Sequence, residues 1–240
     1  DGIDLRDFAC DAPTGTAGIH VDANGRNSIV VAAGANARLE SGFVEATLAA
    51  IAQPTVVLAQ LESPVDAIAA ALRCSRERGA ITVLNPAPAN AVVPGALLAL
   101  ADVLTPNESE FAALVGRHVG ERIEADAVSG LDQARLHALC RDLGHDASVV
   151  VTLGASGCFV SHPDSNLRGD EAACYRIAAE PARVVDTTGA GDAFNGALAA
   201  SLALRPHAAF AEHLRFATRY AGRSTEHEGA ALAMPHLVVG

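Results

Sequence analysis

Short runs of β-branched and aliphatic residues recur along this chain, and the segments between them carry apolar residues at helical spacing. Residues 55–58, 81–84, 103–104, 149–153 and 158–161 read as strands. The clearest intervening segment opens on Ser63-Pro64, an N-cap followed by a first-turn proline. It keeps its apolar residues in register through Leu72 and meets Gly79 where a C-cap belongs. Similar reasoning ends helices near Gly116 and Gly144 and places a small-residue helix after a Gly-rich turn over 188–204. Strands joined by crossover helices lie parallel, with the helices packed on the sheet. The alternation therefore predicts an α/β fold, a three-layer, doubly wound, mostly parallel sheet flanked by helices. The stretch before residue 40 breaks the rhythm: 16–22 and 28–33 flank Ala23-Asn24-Gly25, a turn signal that predicts a hairpin.

With 240 residues, half of them apolar, the chain can bury one substantial core, so a single domain over 1–240 is expected. A net charge of −11 opposes a polyanionic partner, which needs clustered Lys and Arg, so no nucleic acid is expected. No apolar run approaches the ~20 residues that span a bilayer, and no basic-then-apolar leader opens the chain. No membrane association is expected. Cys10, Cys74, Cys140, Cys158 and Cys174 are scattered and odd in number, which suits a reducing, cytoplasmic setting and reads as small apolar residues in a core. The nine histidines include no H-E-x-x-H, so zinc has little support.

In open α/β sheets ligands sit beyond the carboxyl ends of the strands. Here the loops at those ends read Gln60-Leu61-Glu62-Ser63, Asn85-Pro86-Ala87-Pro88, Thr105 through Glu110, Thr152 through Gly157, and Asp186 through Asp192. The last is the most pointed. Gly189, Ala190 and Gly191 before a helix would expose backbone N–H groups at the positive end of the helix dipole, a site for phosphate, and Asp192 follows as a candidate proton acceptor. Glycines also make ordinary tight turns, and an Asp there also caps a helix. The Walker pattern is absent, and Phe194 stands where a dinucleotide fingerprint wants its third small residue.

The run Val185-Asp-Thr-Thr-Gly-Ala-Gly-Asp-Ala-Phe-Asn-Gly196-Ala-Leu198 is similar almost letter for letter to the C-terminal signature of the ribokinase-like carbohydrate kinases. Ala33-Gly-Ala-Asn36, Gln60-Leu-Glu-Ser-Pro64, Asn85-Pro-Ala-Pro88, Thr105-Pro-Asn-Glu-Ser-Glu110 and Thr152-Leu-Gly-Ala-Ser-Gly157 extend the resemblance in family order. Within the family these motifs look more like the ribose-phosphorylating branch than like fructose or adenosine kinases. The resemblance implies transfer of the γ-phosphoryl of ATP to ribose, giving ribose 5-phosphate, with Mg²⁺ and an activating K⁺. Kinases of another sugar or a nucleoside, and a nucleotide-binding remnant without turnover, stay open as alternatives.

Carried over residue by residue, Asp192 resembles the base and Gly189, Ala190 and Gly191 the anion hole, while Glu62 and Asp192 resemble sugar contacts. Asn107 resembles the phosphate-binding Asn and Glu110 the carboxylate that reaches Mg²⁺ through water. Asn107 and Glu110 also have N-cap and N3 spacing, so a capping role coexists. Thr152, Leu153, Gly154, Ala155, Ser156, Gly157, Gly191 and Thr218 resemble the nucleotide site. Asp186, Thr188, Ser224, His227 and Gly229 fall where relatives bind a monovalent cation, and Asp186 alone would read as a turn carboxylate.

The chain departs from the family pattern at its start. Residue 1 is Asp, and the N-terminal Gly-Gly-Lys-Gly-Ala-Asn segment of relatives is not found. The expectation is a chain lacking an N-terminal portion, with residues 14–36 as the rest of a lid or edge hairpin and with weak activity or none. A homodimer is expected of the longer form. Phe216 through Gly229 also carries Arg219, Arg223, Glu226, His227 and Glu228, where relatives have an alanine-rich helix.

Overall fold

Each sheet strand must satisfy two hydrophobic layers at once, and its successive side chains point to opposite faces. The computed structural model, which describes residues 2–21 and 27–236, shows both layers filled. Its six-stranded sheet comprises β3 (Val56–Ala59), β4 (Ile81–Leu84), β5 (Val103–Leu104), β6 (Ser148–Thr152), β7 (Cys158–Ser161) and β8 (Cys174–Ile177), in that spatial order. β3 to β6 pair parallel, and β7 and β8 close the sheet antiparallel. The sheet is thus mixed, and strand order among the described residues runs in sequence.

Leu84, Leu104, Val149, Val151 and Phe159 face one layer. There they meet α2 (Val65–Glu77), α3 (Gly95–Leu98), α4 (Glu108–His118) and α5 (Gln133–Leu143). Val83, Val103, Val150, Cys158 and Val160, their neighbours in sequence, face α6 (Ala190–Leu204) and α7 (Phe210–Ser224) on the other side. Because both faces are covered, the central strands read as unbroken apolar runs rather than as alternating ones. A short helix, α1 (Ser41–Ala50), packs on α2.

A separate antiparallel hairpin, β1 (Thr16–Val21) with β2 (Asn27–Ala32), pairs Thr16 with Ala32 and precedes the sheet. The two strands match the sequence reading; the Ala23-Asn24-Gly25 turn lies outside the described residues. Two local readings, the Ser63 cap and the burial of all five cysteines, need correction. The helix expected to be capped by Ser63 starts one residue later, with Pro64 at the cap position in an extended conformation and no side-chain cap. The helix expected to end near Gly116 ends two residues on, at His118, with Val119 bonding back to Val115. Of the cysteines only Cys140 and Cys158 are buried; Cys10, Cys74 and Cys174 are half-buried. All are free thiols. No helix among the described residues is long and apolar enough to cross a membrane.

Gly157 fixes how β7 leaves the β6 turn. Its φ is +85°, and a Cβ there would collide with the Ile177 carbonyl oxygen and come within 2.7 Å of the Ala179 nitrogen. Gly157→Ala is expected to lower the unfolding free energy by at least about 2 kcal/mol, from the left-handed conformation together with the clash. Urea unfolding of the variant checks this, and an unchanged midpoint would refute it.

Candidate active site

Four strand ends and two helix starts meet at a cavity of about 220 Å³. Gln60 follows β3, Asn85 and Ala87 follow β4, Thr105 and Asn107 follow β5, and Thr152 ends β6. Glu110 reaches in from α4, and Thr187, Gly189, Ala190, Gly191, Asp192 and Asn195 come from the turn and first turns of α6. This is the carboxyl edge of the parallel strands, where the topology leaves room between loops.

One wall is a helix N-terminus. Gly189, at φ +76°, is the N-cap of α6, and its place beside Ala230 (3.1 Å from a Cβ at that position) leaves little space for a side chain. No side chain caps α6. The Ala190 amide bonds to Thr187 O at 3.2 Å, and the Gly191 and Asp192 amides, with no carbonyl a turn earlier, are left for a ligand. The exposed Asp192 carboxylate stands at the same helix start.

The facing wall is a complete capping box. The Asn107 amide donates to Glu110 Oε2 (2.9 Å), Asn107 Nδ2 donates to Glu110 Oε1 (2.9 Å), and the Glu110 amide donates to Asn107 Oδ1 (2.9 Å). Glu110 is buried, and that burial pushes its carboxyl above the usual carboxylate range, with repulsion from Asp192 acting the same way and hydrogen bonds from Asn107 and Asn85 opposing. Two carboxylates therefore share one cavity, and the environment of Glu110 is eased by any cation held between them.

The remaining sequence-predicted residues distribute around this cavity. In the 152–157 turn, Thr152 lines it, Leu153 is buried, and Gly154, Ala155 and Ser156 form an exposed 3-10 turn. Gly157 packs against the backbone at 177–179. Ile177 and Ala178 belong to a second, wider groove of about 720 Å³ between β8 and α7, which also holds Thr218. The 152–157 turn thus bridges the two cavities. The wider groove also meets a helix start, that of α7, but there the Ala211 amide is already taken by Asp170 (2.9 Å), so the smaller cavity, whose Gly191 and Asp192 amides have no such partner, is the better candidate for chemistry. Glu62 is exposed and lies outside both linings.

Asp186 accepts from the Thr188 amide (2.9 Å) and the Gly229 amide (3.0 Å), tying the turn before α6 to the segment after α7. The Thr188 hydroxyl, then the Gly229 and Thr188 amides, hold the Asp186 carboxyl below its ordinary range. Ser224 is buried and donates its hydroxyl to Ala221 O (2.8 Å), while His227 is exposed. Six cavity residues, Gln60, Asn85, Ala87, Thr105, Thr187 and Asn195, had no role assigned from sequence. Thr105 and Asn195 are buried and joined by a 2.6 Å hydrogen bond, and Thr187 accepts from Ala190. A polar Asn in an otherwise apolar, small-residue helix was the available signal.

A model of the pfkB family carbohydrate kinases matches residues 3–237. This chain belongs to that family. Among its relatives, the bifunctional ribokinase/ribose-5-phosphate isomerase A of Fructilactobacillus sanfranciscensis is 41% identical over 204 residues, covering 84% of this chain and 34% of the relative. The ribokinase of Haemophilus influenzae is 37% identical, covering 92% of this chain and 66% of its own. The structure of Arabidopsis thaliana ribokinase complexed with ribose and ATP superposes with a TM-score of 0.70 at 27% identity, covering 94% of this chain and 67% of that one. The chain thus spans 66% or less of the length of these two curated relatives. The run 185–198, whose resemblance to the family was drawn from sequence, falls on the turn and helix start that form one wall of the smaller cavity.

Proposed function

We propose that this chain binds ATP and ribose and transfers the γ-phosphoryl group to the ribose 5-hydroxyl. The observation that carries the reading is the convergence, in one cavity, of Asp192, the open amides of the α6 start and the Asn107–Glu110 pair. Relatives named ribokinase, one of them a structure complexed with ribose and ATP, support the choice of substrates.

Asp192 accepts the proton of the sugar hydroxyl as its oxygen attacks the γ-phosphorus and the bond to the ADP oxygen breaks. The Gly191 and Asp192 amides meet the charge on the equatorial phosphoryl oxygens in a fixed orientation. A cavity of about 220 Å³ holds only the reacting end of the substrates. The nucleotide therefore extends along the 152–157 turn, with Asn107 at its phosphates and its base toward Thr218 in the wider groove.

Mg²⁺, when bound, supplies charge neutralisation at the phosphates. Both Glu110 oxygens already accept from Asn107, so Glu110 fits a role in holding the ion's water shell. A monovalent cation such as K⁺ would be held by Asp186 with oxygens of Thr188 and the 224–229 segment, and would steady the turn that carries the anion hole. Glu62 as a sugar contact and the β1–β2 hairpin as lid and dimer contact belong to the same reading. Val30 and Val31, adjacent in β2, are 67% and 58% exposed, so both faces of that strand are available.

The test is ADP release from ATP–Mg²⁺ with K⁺ present, comparing ribose, fructose and adenosine as acceptors, alongside nucleotide binding by calorimetry. Ribose is expected to stimulate release most. A stronger response to another acceptor would reassign the substrate, and absence of nucleotide binding would overturn the reading altogether.

A further inference from the structure

The anion-facing wall and the Asn107–Glu110 wall stand on helices that pack on opposite faces of the sheet, α6 on one and α4 on the other. A buried polar connection ties the α6 start to the end of β5, the strand end that leads into the Asn107–Glu110 loop. Thr105 donates its hydroxyl to Asn195 Oδ1 (2.6 Å), and Asn195 Nδ2 donates to Gly191 O (2.9 Å). Asn85 Nδ2 donates to Thr105 O (2.8 Å), and the Thr105 amide bonds to Leu84 O (3.0 Å). Thr105 is therefore fixed by the sheet, and it passes that position to α6.

The bond to Gly191 O matters because of which peptide it holds. The Gly191 carbonyl and the Asp192 N–H belong to one planar unit, and they point in opposite directions. A donor that keeps the carbonyl aligned along the helix keeps the Asp192 amide aimed out of the helix start, into the cavity. Asn195 sits one turn on, so its side chain reaches the carbonyl four residues back.

We infer that Asn195, set by Thr105, is a positioning residue that aims the Gly191–Asp192 peptide at the transferred phosphoryl group. The inference rests on the phosphoryl-transfer reading above. Neither side chain touches the reacting atoms: both are buried, and their polar atoms are spent on one another and on Gly191. Loss of the Thr105 hydroxyl leaves Asn195 free to rotate, and the anion hole then loses preorganisation while the capping box at Asn107 stays intact.

The test uses ¹⁵N–¹H spectra of the chain titrated with inorganic phosphate, and separately with ADP–Mg²⁺, for the parent and Thr105→Val, Thr105→Ser and Asn195→Ala. In the parent, the Gly191 and Asp192 amides are expected to shift saturably with phosphate. In Thr105→Val and Asn195→Ala the apparent phosphate affinity at those amides is expected to fall about tenfold. The Thr152 response to ADP–Mg²⁺ should be retained, and Thr105→Ser should restore the parent behaviour. Dispersed spectra establish that each variant is folded, and if Thr105→Val is not, Asn195→Ala decides. Parent-like titrations in the folded variants overturn the positioning role alone. A parent whose Gly191 and Asp192 amides ignore phosphate overturns the anion hole and this inference together.

Discussion

Asp192→Asn is expected to lower ribose-dependent ADP release by about 10²–10⁴-fold, the range a positioned general base contributes, while ATP–Mg²⁺ still binds. Asn matches Asp in shape and leaves the Gly191 and Asp192 amides in place, but it cannot take the hydroxyl proton. Removing the carboxylate also removes a like charge beside the incoming phosphates and beside Glu110, whose carboxyl Asp192 helps to push up. Nucleotide affinity should therefore hold or tighten slightly. A purely structural Asp192 behaves differently. As a charge in the first turn of α6 it would contribute about 0.3–1 kcal/mol to stability through the helix dipole, and its loss would lower the melting temperature without a specific effect on turnover. Initial rates, calorimetric ATP binding and a thermal melt on the same variant separate the two. Turnover kept within a few fold of the parent would remove Asp192 from the role of base.

The sequence exposes this site because its functional groups sit on the loops that follow short apolar strands, and the strands themselves are legible. β4, β5 and β7 have the bounds expected of them, since each is a short, largely buried β-branched or aliphatic run whose few polar members, Thr82 and Ser161, are buried with it. β8 went unread because it is an edge strand in which only Ile177 is buried, so Cys174-Tyr-Arg-Ile carries neither alternation nor an apolar run. α1 escaped for the related reason that none of its residues is buried. The end of α4 was legible to within two residues, because the apolar register that stops at Val115 is what holds the helix on the sheet.

Among the candidate site residues, Asn107, Glu110, Thr152 and 189–192 line one cavity. The Thr105–Asn195 tie could not be read, because it joins residues 90 apart in sequence through a contact that depends on how α6 crosses the sheet. Thr218 illustrates the converse. It lies on a different cavity from Asp192, and the 152–157 turn runs between the two, with Thr152 on the smaller cavity and Gly157 packed against the backbone at 177–179.

At the opposite end of the sheet from the site, Asp170→Ala is expected to cost about 3–5 kcal/mol of folding stability, because several donors converge on one carboxylate. Arg168 Nε donates to Ser148 Oγ (2.8 Å), and Ser148 pairs with His162 Nδ1 (2.8 Å). His162 Nε2 pairs with Asp170 Oδ2 (3.0 Å), which also accepts from the Tyr175 hydroxyl, while Oδ1 accepts the Ala211 amide near the start of α7 (2.9 Å). With Arg168 donating to it, the Ser148 hydroxyl gives its own proton to Nδ1, and the neutral imidazole keeps its proton on Nε2 for Asp170. Burial, and then the charges of Arg168 and Arg141, hold His162 below its ordinary pKa against the pull of Asp170. Truncation strands the fully buried His162 donor, while Tyr175, which lines the open groove, can turn to water. The same chain of bonds sets a pH dependence. A histidine with a depressed folded pKa binds its proton more readily when unfolded, so its contribution is present above about pH 6.5 and is lost as pH falls through the lowered folded value. His213, buried against Ser201 and likewise lowered by burial, adds to the same slope. Urea unfolding of the parent and Asp170→Ala near neutral pH measures the first effect, and an NMR titration of the His162 ring measures the second. A His162 that titrates above its free value would mean an imidazolium–carboxylate pair, and stability would then rise rather than fall as the solution is made mildly acidic.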